Sequence, residues 1–279
     1  MVKLSNVNET LFIPLYGKAL MSKSNKIIKD KKAEQIINSI NYDFSKLRIV
    51  KKIQIFMSLR AAIIDDYTDY FIKKNPGCIV LHLGCGLDSR VTRVKREAKC
   101  WYDLDFPKVI ELRKNYYYED DNYKMIGSSV MDINWMSQVE YSGEPVFIIA
   151  EGLLMYLSEA EVKNLLIALK RKFTGAEIIF DAFSNLTVRM SKYQPSLSKT
   201  KAQVLWGFNN PSDVEKLDGG IMHLHTLYLN DDKRIQCLDG YYKFMFNLTK
   251  NIRAAREAQR IFVFKLGRNI LNLSLYKNF

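Results

Sequence analysis

The chain has 279 residues, 48% of them hydrophobic and 26% charged, with a formal net charge of +12. That length and apolar content support a full globular core and exclude a disordered polymer. No apolar run reaches the roughly 18 to 20 residues of a membrane span, and Met1-Val2-Lys3-Leu4-Ser5-Asn6 lacks a signal-peptide core, so cytoplasmic residence is expected.

The first 75 or so residues read as helical. Ile49, Ile53, Phe56, Met57, Ile63, Ile64, Tyr67 and Phe71 recur at helical spacing from about 47 to 73, and Pro76-Gly77 then breaks the helix. From Cys78 the pattern changes to strands alternating with helices, which implies a parallel sheet with crossovers. Strands are expected near 78–83, 99–104, 123–127, 145–150 and 176–182. A helix is expected over 159–172, opened by a capping box of Ser158 and Glu161, with Val162, Leu165, Leu166, Leu169 and Phe173 facing inward. Residues 185–220 accumulate Ser, Lys, Asn, Pro and Gly around an isolated Trp206-Gly207. They read as a mobile lid over the strand ends, or as a surface excursion without a role. Ile221–Leu229 reads as a strand, further helices follow, and Ile270–Tyr276 reads as a last strand closing an antiparallel hairpin. One domain is expected over 1–279: a helical cap (1–76), a ligand-binding core (77–184), the lid (185–220) and the end of the sheet (221–279).

The segment Ile79-Val80-Leu81-His82-Leu83-Gly84-Cys85-Gly86-Leu87-Asp88-Ser89-Arg90 carries the most chemistry. A buried strand runs into a Gly-x-Gly turn, and Trp101-Tyr102-Asp103-Leu104-Asp105-Phe106-Pro107 follows as a strand ending in acid. Open α/β sheets hold nucleosides this way: Gly84 and Gly86 permit close backbone approach and a carboxylate takes the ribose hydroxyls. Ser89 stands where a dinucleotide fingerprint has its third glycine, and no phosphate-loop motif occurs. A nucleoside without phosphates fits better, and S-adenosylmethionine is the commonest such cofactor. Asp103 and Asp105 share a face, and either is a ribose candidate.

Arg60 sits in the apolar stripe Ile53, Phe56, Arg60, Ile64, Tyr67, where a guanidinium is costly unless an anion meets it. A structural partner such as Asp65 or Asp66 is one reading; a ligand carboxylate is the other. Glu151 ends the strand Val146-Phe147-Ile148-Ile149-Ala150, where ligands of such sheets bind, and Asp181 ends the next one. Tyr156 and Asp181 are candidates for an acceptor pocket, and Arg189, Lys192 and Tyr193 for attracting an acidic substrate. Cys78, Cys85, Cys100 and Cys237 form no C-x-x-C pair, the three histidines (His82, His223, His225) are scattered, and no metal is expected. The basic residues are spread along the chain and alternate with acids, so an acidic small substrate suits the charge at least as well as a nucleic acid; a nucleic-acid-binding module would instead need a contiguous basic face.

Three blocks, Leu83-Gly84-Cys85-Gly86-Leu87-Asp88-Ser89-Arg90, Trp101-Tyr102-Asp103-Leu104-Asp105-Phe106-Pro107 and Ala150-Glu151-Gly152-Leu153-Leu154-Met155-Tyr156-Leu157, resemble the leucine carboxyl methyltransferase family, in particular its bacterial branch of tetracenomycin-type polyketide O-methyltransferases. The resemblance runs from about Tyr16 to Ser184, with an echo in Trp206-Gly207-Phe208-Asn209-Asn210-Pro211. It implies a class I methyltransferase fold, Rossmann-like with a seven-stranded mostly parallel sheet, and S-adenosylmethionine as cofactor. Transferred to this sequence, it implies that Arg60 holds the cofactor carboxylate with Lys18 beside it, that Gly84 lets the backbone approach, and that Asp105 binds the ribose. It further implies that Ser129 and Val130 flank the adenine and that Glu151 contacts the amino group. The acceptor implied is a small molecule, acidic or phenolic; a protein C-terminus is the alternative. No His–Asp pair near the strand ends offers a general base, which leans toward a carboxylate, already nucleophilic at neutral pH.

Overall fold

A computed structural model describes residues 11–24, 26–95, 97–191 and 203–267. Helices α1 (Phe12–Ser22), α2 (Lys31–Ser39) and α3 (Lys51–Lys74) precede the sheet. The expected break after α3 is present: the chain leaves the helix at Asn75, and Gly77 takes φ +75°. Ile53 lies on the exposed side of α3, and Ile55 and Leu59 hold the buried stripe instead.

The sheet contains β1 (Ile79–Leu83), β2 (Cys100–Asp105), β3 (Tyr123–Gly127), β4 (Val146–Ala150), β5 (Ala176–Phe183), β6 (Ile221–Tyr228) and β7 (Gln259–Leu266). Their order is β3-β2-β1-β4-β5-β7-β6. β1 to β5 run parallel, and β7 is antiparallel to both β5 and β6. The shorter helices are α4 (Arg90–Arg93), α5 (Pro107–Arg113), α6 (Glu159–Lys172), α7 (Asn185–Ser191), α8 (Pro211–Glu215), α9 (Gly240–Lys250) and α10 (Arg253–Arg256). The capping box opens α6 as expected: Glu161 N–H donates to the Ser158 hydroxyl, and Ser158 N–H to the Glu161 carboxylate at 2.7 Å.

Strand alternation splits the core between two faces. Val80, Trp101, Phe147, Ile149, Ile179 and Val263 pack against α1, α3 and α9. Leu81, Leu83, Ile148, Phe180, Phe262 and Phe264 pack against α6 and the segment carrying Trp206 and Phe208. β1, β2 and β4 are buried along their whole length, and β4 reads as an unbroken apolar run, whereas β1 carries His82 and β2 carries Asp103 and Asp105.

Two expectations change. The strand that pairs with β5 and β6 is Gln259–Leu266, within a stretch read as helical; Ile270–Tyr276 lies outside the described residues. The described part of the lid is also anchored rather than mobile. Val204, Trp206 and Phe208 are buried, Leu205 N–H donates to Met155 O at 2.8 Å, and Phe208 N–H to Phe183 O at 3.1 Å. A Cβ on Gly207 would fall 2.4 Å from Phe183 O, so glycine is required where this segment crosses β5. A polar composition concealed three inward anchors set two residues apart.

Candidate active site

The carboxyl ends of β1, β2, β3 and β4 lie side by side, and the turn after β1 is the most constrained piece of the row. Gly84 and Gly86 adopt φ +64° and +52°, the left-handed region. Leu153 packs over Gly84, where a Cβ would come within 3.0 Å of it. The buried Arg113 guanidinium clamps the turn from below, donating to Gly86 O at 3.1 Å and Asp88 O at 2.7 Å.

The two acids of β2 share a face, but their surroundings differ. Asp103 is 0% exposed and enclosed by donors: Trp101 Nε1 at 2.8 Å, Tyr123 Oη at 2.6 Å, and Arg113. Burial opposes its ionisation, but Arg113 and His82 outweigh burial and hold it down to about 2. Asp105, 8% exposed at the strand end, accepts from Gly86 N–H at 2.8 Å and Phe106 N–H at 2.7 Å. Burial raises its pKa despite those two bonds. Beside it, after β3, Ser129 Oγ accepts from Met131 N–H at 3.3 Å, and the buried Val130 offers its carbonyl to Trp135 Nε1 at 3.2 Å.

Arg60 reaches the ends of β4 and β5 from α3. Its Nε donates to Glu151 at 2.9 Å and its Nη1 to Asp181 at 2.8 Å, while Nη2 makes no hydrogen bond to a described residue. Asp181 also accepts from Gly152 N–H at 2.6 Å and Gln259 Nε2 at 2.8 Å. The structural partners expected for Arg60 are placed elsewhere: Asp65 holds Arg90 and Arg93, and Asp66 accepts from Arg234. Glu151 lies between Arg60 and Arg90, whose Nη2 donates to it at 2.5 Å. Burial opposes its charge, but these two guanidinium groups prevail and hold it down to about 2. Lys18 is buried and pairs with Asp88 at 2.6 Å, so it enters the site through that carboxylate.

On the acceptor side, Tyr156 stands 39% exposed on a short 3-10 turn after β4. Burial raises its phenol pKa, and Arg60 opposes the rise. Arg189 is exposed on α7, flanked by exposed Leu186 and Met190, and Leu205 is exposed beside Met155. Lys192 and Tyr193 lie outside the described residues. Among the described residues no group of three or more His, Cys, Asp or Glu side chains is placed to hold a metal ion, and no helix is long and apolar enough to cross a membrane.

Sequence reading missed Arg90, Arg93, Arg113 and Gln259. Arg90 and Arg93 had a signal, two arginines three apart directly after the glycine turn; Arg113 and Gln259 had none.

A family model described as leucine carboxyl methyltransferase matches residues 12–170. The chain belongs to the leucine carboxyl methyltransferase family. It is a methyltransferase that uses S-adenosylmethionine, built on the class I fold. It is 36% identical over 222 residues to the tetracenomycin polyketide synthesis O-methyltransferase TcmP of Streptomyces glaucescens, covering 79% of this chain and 82% of that protein. It is 28% identical over 253 residues to the S-adenosyl-L-methionine-dependent methyltransferase dpfgK of Gibberella zeae, covering 83% and 85%. The solved structure of a SAM-dependent methyltransferase from Anabaena variabilis shares the fold, with a TM-score of 0.51 at 13% identity over 75% of this chain and 85% of that one.

The donor set at the strand ends suits this leucine carboxyl methyltransferase family member's cofactor. Arg60 Nη2 is a guanidinium donor still to be met, Glu151 is an ionised acceptor, and Asp105 is a carboxylate at the mouth of the β2 end. These three match a free carboxylate, an ammonium and a ribose diol.

Proposed function

We propose that this chain transfers a methyl group to an oxygen of a small-molecule acceptor, and that this oxygen belongs to a carboxylate. The observation that carries the reading is the state of the acids at the strand ends. Glu151 and Asp181 are both ion-paired to Arg60. Both are already engaged by that guanidinium, and among the described residues no histidine hydrogen-bonds to either; the His–Asp pair that the sequence did not reveal, His82 with Nδ1 3.3 Å from Asp103, is buried one strand away against Arg90. A phenol, with a pKa near 10, would need a free base; a carboxylate needs none.

S-adenosylmethionine, when bound, supplies an electrophilic methyl on a sulfonium. In this reading Arg60 Nη2 holds the amino-acid carboxylate, Glu151 the amino group, and Asp105 the ribose hydroxyls. Gly84 and Gly86 let the backbone approach, and Ser129 and Val130 flank the adenine. Asp103 and Lys18 act one step back: Asp103 anchors Arg113 under the turn, and Lys18 fixes Asp88. Asp181 orients Arg60 rather than touching the acceptor. The protein's work in an in-line displacement is alignment and exclusion of water. Tyr156, Leu186, Met190 and Leu205 supply an apolar rim for the acceptor's body, and Arg189 a cation for its acid.

The test is a panel of carboxylic acids and phenols incubated with isotopically labelled methyl donor, the label then located by mass spectrometry. Methyl esters are expected. Aryl methyl ethers alone would contradict the carboxylate assignment.

A further inference from the structure

The acidic contact of the site has a second holder. Arg90 is 0% exposed, at the start of α4. Its Nη2 donates to Glu151 Oε2 at 2.5 Å, its Nε to Asp65 Oδ1 at 2.6 Å, and its own N–H to Asp88 Oδ1 at 2.8 Å. Asp65 is pinned in turn by Arg93, with Nε at 2.7 Å from Oδ2. Arg93 Nη1 reaches Asp30 Oδ2 at 2.8 Å, at the N-cap of α2, and Asp88 Oδ1 at 2.8 Å. The Arg90 fork thus joins α3 to the end of β4, with Nη1 3.4 Å from His82 Nε2 on β1, and the backbone N–H of the same residue ties in the glycine turn.

Glu151 has two oxygens, and its two guanidinium neighbours take one each: Arg60 takes Oε1 and Arg90 takes Oε2. Such a carboxylate cannot swing, and its rotamer is set from both sides. Arg90 is too deeply buried to meet a ligand itself, so its effect must pass through Glu151.

We propose that Arg90, braced by Asp65, is a positioning residue for the methyl donor: it orients Glu151 and keeps it anionic toward the donor's amino group. This inference rests on the cofactor assignment above. The groups facing Glu151 are Lys18 from α1, Arg60 from α3, Asp88 from the glycine turn, Arg90 from α4, and Asp181 from β5 through Arg60. Removing Arg90 leaves a buried carboxylate with one direct guanidinium and two acids nearby. Its proton affinity then rises, and protonation deletes the anion that meets the amino group.

The test is calorimetric titration with S-adenosylhomocysteine, whose amino-acid end is that of the donor, between about pH 5 and pH 7. Wild type is expected to bind equally across that range, and Arg90→Lys, which keeps the charge but not the fork, to bind more weakly by a factor that does not change with pH. Arg90→Gln is expected to bind about tenfold more weakly at the acid end and to regain affinity toward neutral pH. A folded Arg90→Gln with wild-type affinity at every pH would overturn the proposal. So would an equal loss at every pH, the mark of a purely structural brace. If circular dichroism shows Arg90→Gln unfolded, Asp65→Asn carries the test. The proposal expects weaker binding by its folded form; a lower melting temperature with unchanged affinity overturns it. Wild type that fails to bind S-adenosylhomocysteine would overturn the cofactor assignment itself, whereas wild-type binding with a level Arg90→Gln profile overturns only the role of Arg90.

Discussion

The two halves of the sheet's carboxyl edge are built differently. At the ends of β1, β4 and β5, four cations (Lys18, Arg60, Arg90, Arg93) alternate with five carboxylates (Asp30, Asp65, Asp88, Glu151, Asp181) in one connected network. The helix that follows β5 and the segment beside Met155 instead expose Leu186, Met190 and Leu205, with Arg189. A connected network of buried charges is rigid, because moving any member strands its partner in low dielectric. An apolar rim imposes shape and little else. The first half suits a ligand with fixed charges; the second suits the body of a small-molecule acceptor.

The comparison can be broken at the rigid half first. Asp103→Ala strands the buried Arg113 beneath the glycine turn and is expected to destabilise the fold by about 3–5 kcal/mol. Denaturant unfolding checks this, and a loss under about 1 kcal/mol would mean that the clamp is not structural. Arg60→Ala is expected to cost at least ~2 kcal/mol of donor affinity by calorimetry, since it removes a charge-assisted contact. Unchanged affinity would remove Arg60 from the donor site.

Acid sharpens the contrast further. The folded-state pKa values of Glu151 and Asp103 are both depressed to about 2. Their contribution to stability is therefore present above the ordinary carboxylate range near pH 4 and lost as pH falls toward about 2. Melting temperature followed down that range should drop for wild type, and drop less for Glu151→Gln, which has already lost its share. The smallest effect belongs to the apolar half. Arg189→Ala should raise the acceptor KM by only a few-fold, because an exposed charge is screened, and leave donor affinity unchanged. A change in donor affinity would mean that the two halves are not separate.

How much was legible in the sequence follows the same division. β1 to β5 and α6 were readable because short apolar runs and a capping box are local signals. The glycine turn, Arg60 and Glu151 stood out because each breaks a local pattern: paired glycines after a strand, a charge in an apolar stripe, an acid at the end of a buried strand; strand position alone favoured Asp103 over Asp105, and only the family resemblance pointed to Asp105. Arg113 and Gln259 were not readable, since each matters only through a partner distant in sequence, Asp103 and Asp181. β7 was hidden because its start, Gln259-Arg260, is polar and follows a helical stretch. The anchoring of Trp206 and Phe208 was hidden by polar neighbours.

The central claim is that the ends of β1, β2 and β4 hold an adenosyl amino acid by its carboxylate, its amino group and its ribose. A crystal structure of the protein with S-adenosylhomocysteine tests it most directly. The account predicts the carboxylate on Arg60 Nη2, the amino group against Glu151 and the ribose diol on Asp105, with Asp103 still enclosed by Arg113 and Tyr123. A ligand bound with its diol on Asp103, or seated away from Arg60, would contradict it.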